Sequence, residues 1–280
     1  DSIREIFDDR WDKDIFYDPD PTVLNKTYSK IGAFVDGFQF NPLAFRIPPT
    51  TVAHVDPIQL WTLAATKQAW EDSGYHHKDI DRTRIAVIIA NAQGGEYRDI
   101  NNNRIHLQEF IKVAEENGLF TSVPELEKIE AIKRMEEKFS MGLPPVNEDT
   151  MPGELSNIVA ARVASVFNFK GANFTTDAAC ASSLAAIDTA IKGLWARDYD
   201  MVITGGVDRT MNPPTYIKFC KIGALSKDGS RPFDAGANGF VMGEGAGILV
   251  MKRLSDAMED GDRIYAVIRG IGSSSDGKGK

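Results

Sequence analysis

The stretch TTDAACASSLAAIDTAIKGLW, residues 175–195, places Cys180 where a short extended run gives way to a helical pattern. A thiol attacks only as thiolate, and free cysteine titrates near ~8.5, so a reactive cysteine needs local positive potential. The first turn of a helix supplies one through its unpaired N–H groups and aligned peptide dipoles. Ala178, Ala179, Ala181, Ser182 and Ser183 are small enough for a sharp turn and for a substrate carbonyl to reach the sulfur. The backbone N–H of Cys180 could then hold the developing oxyanion, a nucleophile elbow with sulfur in place of oxygen. The opposing reading is a free cysteine acting as a small buried hydrophobe, and position alone leaves both open.

Other patterns carry less chemistry. GEGAG (243–247) and TGGVD (204–208) suggest nucleotide binding, but GEGAG lies inside an apolar extended run rather than at a strand-to-helix turn. Its glycines read as sites of close packing. His76 and His77 with Asp79 and Asp81 lack a third and fourth ligand at zinc-like spacing, so no metal is expected. No Gly-x-Ser-x-Gly elbow occurs.

The elements that must position Cys180 follow from the rest of the chain. With 280 residues, 42% hydrophobic and 26% charged, it can bury a substantial core as one large domain or two small ones. No apolar run approaches the ~20 residues of a membrane span, and the start, DSIREIFDDRWDKD, is no secretory signal. A cytoplasmic location with Cys180 and Cys220 both reduced is expected. A net charge of −8 argues against nucleic acid as a partner.

Residues 1–55 lack sustained periodicity and read as irregular structure over a core. Asp56 and Pro57 then read as N-cap and first turn of a helix ending near Gly74. RIAVIIA (84–90) reads as a strand buried on both faces. Two helices are predicted across 104–139, broken near Gly118 to Pro124, the second with a charged outer face. A helix over 153–169, a strand at ANFTT, a helix from about 180 to 197 and a strand at DMVITGG (200–206) follow. Two more extended runs, 239–253 and 263–276, flank a short helix at LSDAMEDG. Strands alternating with helices indicate α/β layering.

DAACASSLAAI resembles the active-site motif of β-ketoacyl synthases, the decarboxylating condensing enzymes of fatty-acid and polyketide synthesis. DPIQLWTLAATKQAWEDSGY resembles the family's upstream helix. MPGELSNIVAARVASVFNFKGANFTTDAAC resembles its approach to the cysteine, and GALSKDGSRPFDAGANGFVMGEGAGILVMKRLSDAMEDGDRIYAVIRG the segment beyond. The likeness runs in order over about residues 50–275. RWDKDIFYDPDP and KTYSKIGAFV further resemble ketosynthase domains of multidomain polyketide and polyunsaturated-fatty-acid synthases.

The resemblance implies a thiolase-like α/β fold: the N-terminal βαβαβαββ half, with an irregular covering segment (1–55), the half itself (56–280) and a helical insertion. It implies that Cys180 takes an acyl chain from an acyl carrier protein for condensation with a malonyl unit. It places Phe219 at an aromatic lining the acyl tunnel, a core aromatic being the alternative. Phe233 in RPFD is expected to hold the core near the site, and Glu244 to be a buried carboxylate with its hydrogen bonds satisfied. Substrates would ride on the carrier's phosphopantetheine, with no cofactor. Partners would be the carrier protein, a second copy through ANFTT, and the C-terminal half of the ketosynthase.

The family's HGTGT and GH histidines find no match: His54, His76, His77 and His106 all precede Cys180. The opening strand of type IAIVG and the late glycine-rich oxyanion stretch are unmatched too. The chain therefore reads as a ketosynthase half clipped at both ends, inactive alone in condensation. A noncatalytic chain-length-factor-like partner is the alternative, but such relatives typically replace the cysteine. A thiolase-like enzyme using coenzyme A fits the DAACASS and RPFD contexts less well.

Overall fold

The run IAVIIA forms strand β3 (Ile85–Ala90), and all six of its residues are buried, as expected of a β-branched run with neighbours on both faces. The structure is a computed structural model describing residues 2–275, 277 and 278. Its chain divides into two units interleaved in sequence: residues 1–57, 94–155 and 209–245, and residues 58–93, 156–208 and 246–280.

The second unit is built on a four-stranded sheet. Its order is β4 (Asn173–Thr176), β3, β5 (Met201–Asp208), β6 (Gly245–Lys252). β3 pairs in parallel with β4, Ala90 opposite Thr176, and with β5, Ala90 opposite Gly206. Parallel neighbours need crossovers, and helices supply them.

Helix α1 (Pro57–Asp72) begins at the proline, as predicted. The insertion, in the first unit, is the pair α2 (Tyr97–Glu116) and α3 (Glu125–Ser140). Helix α4 (Ser156–Phe167) packs on β3 and β4 with Val159, Ala160, Val163 and Ala164 buried. Helix α5 (Ser182–Ala196) sets Ala186, Ala190 and Leu194, spaced by four, against Ala86, Ile88 and Ala90 of β3. Alanines on both surfaces let helix and sheet approach closely.

Gly205 and Gly206 end the sheet's centre for steric reasons. Gly205 has φ 148°, and a Cβ there would strike the carbonyl of Gly247 in β6. A Cβ on Gly206 would strike Ser183 Oγ at the start of α5. The close approach read from GEGAG thus involves Gly247 and joins neighbouring strands.

In the first unit, β1 (Ile3–Glu5) and β2 (Ile31–Ala33) pair antiparallel. Ile6, Trp11, Phe34, Met211, Tyr216, Cys220, Leu225 and Met242 form the core, with Trp11 edge-on to Tyr216 at 5.6 Å. Helix α6 (Pro213–Lys221) starts at Asn212, whose Oδ1 accepts the Thr215 N–H at 3.1 Å.

Several sequence expectations are refined. Asp56, fully buried, accepts the N–H groups of Glu96 (2.8 Å) and Tyr97 (2.9 Å), so its carboxylate caps α2, forty residues on. The helix expected over 153–169 is broken at Leu155, between a five-residue helix, Thr150–Glu154, and α4. The Gly153 carbonyl accepts the Asp56 N–H at 3.0 Å, and a Cβ on Gly153 would strike the His54 carbonyl. A tertiary contact thus overrides helical propensity.

The run 239–253 is a strand only over Gly245–Lys252. Residues 263–275 form no strand, and Arg263 and Tyr265 hold Asp72 instead. Asp276 lies outside the described residues. Among the described residues no helix is long and apolar enough to cross a membrane.

Candidate active site

Cys180 lies in a single 3-10 turn, Ala179–Ala181, that feeds α5, and it is exposed. β4 ends at Thr176, so three residues, Asp177 to Ala179, carry the chain from strand to thiol. The reversal forces Ala179 to φ 48°, left-handed backbone that costs a residue with a Cβ roughly 1–2 kcal/mol.

Two side chains hold that turn. Asp177 Oδ1 accepts the Ala179 N–H at 2.9 Å. Ser182, buried, accepts the Ala178 N–H at 2.8 Å through Oγ and donates to the Ala179 carbonyl at 2.6 Å. The Ala181 N–H closes the turn on the Ala178 carbonyl at 3.0 Å. In the sequence Ser182 stands out only by its small size; an acidic residue three before and a hydroxyl two after the cysteine are the signal for its bonds.

The thiol is thus presented at the N-terminal side of a fifteen-residue helix. A carbonyl carbon arriving at this sulfur meets no bulky neighbour in the turn, because Ala178, Ala179 and Ala181 flank it. Such an exposed cysteine in a strand-to-helix turn can accept an acyl group.

The other cysteine has a different environment. Cys220 is buried in the first unit, with its sulfur 2.9 Å from Thr27 Oγ1. Phe219, also in α6, is half-buried against the first unit's core and meets Phe240 edge-on, centroids 5.6 Å apart.

Phe233 corrects an expectation. It is fully exposed, at 109% relative exposure, and holds nothing in the core. The reason is local: Asp234 N–H closes a turn on the Arg231 carbonyl at 3.2 Å, with Pro232 second and Phe233 third at φ 63°.

Glu244 is buried as expected, with Oε1 accepting from Arg10 and from the Val35 N–H at 3.1 Å. Its bonds are not all satisfied, contrary to expectation: Oε2 has no partner among the described residues, because both donors reach Oε1. Burial pushes its carboxyl up, against the pull of Arg10. Glu96 behaves alike: burial raises it, while Arg209 at 2.9 Å and the Met211 N–H at 2.8 Å favour the charged form.

The four histidines lie in three separate local settings. His54 is buried with Nδ1 3.2 Å from Thr150 Oγ1, and His106 rests on Glu109. The rings of His76 and His77 meet at a tilt of 44°, centroids 3.6 Å apart. Among the described residues no three His, Cys, Asp or Glu side chains group as a metal site.

An exposed cysteine thus stands at the entry to a helix, beside a sheet whose strands β4, β3 and β5 run parallel. The chain belongs to the β-ketoacyl synthase family, whose N-terminal domain pattern matches residues 1–257. It is 34% identical over 279 residues to a polyunsaturated fatty acid synthase chain from a Thraustochytrium species, covering 99% of this chain and 10% of that protein. It is 33% identical to polyketide synthase PksL of Bacillus subtilis, covering 99% of this chain and 5% of that protein.

Among solved structures, the oxazolomycin ketosynthase domain of Streptomyces albus superposes with TM-score 0.69 at 28% identity, over 94% of this chain and 40% of that one. The ketosynthase of module 6 of the Bacillus subtilis bacillaene synthase gives 0.67 at 32% identity, over 94% and 37%. The fold is therefore the thiolase-like α/β fold of ketosynthases, and the chain spans about two fifths of those domains and a tenth or less of the two synthases.

Proposed function

We propose that this chain is the N-terminal part of a ketosynthase domain, residues 1–55 covering the half formed by 56–280, and that Cys180 is its acyl acceptor. The observation that carries this is the exposed thiol of Cys180 in the turn that opens α5. Its thiolate adds to the thioester carbonyl of an acyl carrier protein, the Cys180 N–H receiving charge on the oxygen. The tetrahedral species collapses by expelling the carrier's phosphopantetheine thiolate, which takes up a proton. A malonyl thioester then loses CO2, and its carbanion attacks the acyl carbonyl and releases the Cys180 thiolate.

Phe219 would line the acyl tunnel, and no cofactor enters. The histidines that polarise the malonyl thioester in this family would come from the C-terminal half, so this chain alone condenses nothing. A cytoplasmic homodimer joined near β4, docking an acidic carrier protein, completes the reading. β4 lies at the end of its sheet with Phe174 38% exposed, a free edge that a second copy could cover.

The test is mass spectrometry after incubation with an acyl-carrier thioester, with the C-terminal half of the domain present. One acyl mass on Cys180, absent in Cys180→Ala, is expected. Acylation that persists in Cys180→Ala, or none at all, overturns the reading.

A further inference from the structure

The turn before Cys180 is held by more than its backbone. Ala179 is a non-glycine residue at φ 48°, a conformation that persists only where surrounding contacts over-determine it. Those contacts are side-chain bonds on both sides of the thiol: Asp177 Oδ1 to the Ala179 N–H, and Ser182 Oγ to both the Ala178 N–H and the Ala179 carbonyl. All three bonds act on the peptide groups immediately preceding Cys180. Ser182 itself is seated by burial, and its own carbonyl lies 3.4 Å from Thr176 Oγ1 at the end of β4. Strand end, thiol turn and helix start therefore form one hydrogen-bonded unit.

We propose that Ser182 and Asp177 are positioning residues for acyl transfer to Cys180. They fix the sulfur and the Cys180 N–H so that one carbonyl meets both at once. The proposal rests on Cys180 being the acyl acceptor, but concerns how its turn is held. Attack on a carbonyl needs sulfur and oxyanion donor aligned together, so loosening the turn slows it steeply. Displacement of iodide from iodoacetamide forms no oxyanion and needs only an accessible thiolate. The two reactions thus separate alignment from mere exposure.

The experiment acetylates the intact chain with p-nitrophenyl acetate and, separately, alkylates it with iodoacetamide, reading both sites by mass spectrometry. In acetylation the Cys180 sulfur bonds the acetyl carbon, p-nitrophenolate departs with the electron pair, and the thiol proton goes to solvent. Ser182→Ala is expected to slow acetylation of Cys180 about 10- to 100-fold, while alkylation changes by less than about two-fold. Ser182→Thr, which keeps the hydroxyl, restores acetylation. The urea unfolding midpoint of each variant reports on folding. If it falls steeply in Ser182→Ala, judgement passes to Asp177→Ala, an exposed position where the same selective loss is expected. Equal slowing of both reactions, no change in either, or an unaltered chain that is never acetylated at Cys180 overturns the proposal. A chain acetylated by the ester in this pattern but never loaded from an acyl-carrier thioester, even beside the C-terminal half, instead sinks the function proposed above and leaves the positioning role standing.

Discussion

Gly206, at the end of the paired stretch of β5, lies directly against Ser183 at the start of α5, with no space between them for a Cβ. The helix that carries the thiol turn is thus seated on the sheet at a point where a side chain would meet the Ser183 hydroxyl. Gly206→Ala must turn the Ser183 hydroxyl aside or crowd the helix start. Overpacking of this kind costs about 1–3 kcal/mol, visible as a lower urea midpoint with unchanged slope. An unaltered midpoint would show that the helix start yields freely.

Asp56 holds the start of α2 through one buried carboxylate. Asp56→Ala leaves the Glu96 and Tyr97 amides without their acceptor, a loss of about 2–4 kcal/mol for two charge-assisted bonds. Asp56→Asn keeps an acceptor oxygen and is expected to lose less. Chemical denaturation of the three proteins at pH 7 decides this, and equal stability of all three refutes it.

Asp200 sets an acid limit on stability. The Arg84 side chain foremost, and with it Arg253, holds its carboxyl at about 2, below its ordinary value near ~4. A carboxyl whose folded value is depressed stabilises fully above the unfolded value, and that contribution is lost as pH falls toward the folded one. Stability should therefore fall between about pH 4 and pH 2, and part of that fall should vanish in Asp200→Asn. Half-exposure of the side chain limits the size of the effect. Urea midpoints across that range provide the check; identical acid slopes in the two proteins count against it.

Cys180 and Cys220 should differ sharply towards a small thiol reagent. Cys180 is exposed, whereas Cys220 is buried beside Thr27. Iodoacetamide at neutral pH is expected to label Cys180 in the native protein and Cys220 only after denaturant is added. Peptide mapping reads both sites, and native labelling of Cys220 at a comparable rate would contradict the packing described.

Ile88 is fully buried between the layers of the second unit, against Ala186 and Ala190. Ile88→Ala is expected to cost about 2–5 kcal/mol, measured by thermal or urea unfolding. A cost under about 1 kcal/mol would mean that the helix collapses into the space.

What the sequence determined by itself is what depends on local pattern. IAVIIA reads as a strand covered on both faces, because its mostly β-branched run offers no polar side to water, and it is one. Pro57 opens α1, and the charged run after Pro124 is an exposed helix, for reasons contained within a turn or two of chain. Cys180 stands at a helix entry because small residues and a strand-to-helix change of period coincide there. The ordered motifs around it were enough to place the chain in its family.

Only the tertiary structure decided which distant groups meet. The carboxylate of Asp56 satisfies amides forty residues away, and a hydrogen bond to the Gly153 carbonyl interrupts a helix whose periodicity runs on. Phe233, apolar and placed near the motif, is turned outward by Pro232 and a left-handed φ of its own. The 263–275 run has strand-forming residues but pairs with no strand among the described residues, and a ladder needs two edges. Ser182 looked merely small in sequence. Its hydroxyl matters because the fold bends the backbone at Ala179 until amide and carbonyl both face it, and hydrogen bonds are set by angle and distance, which residue order does not encode.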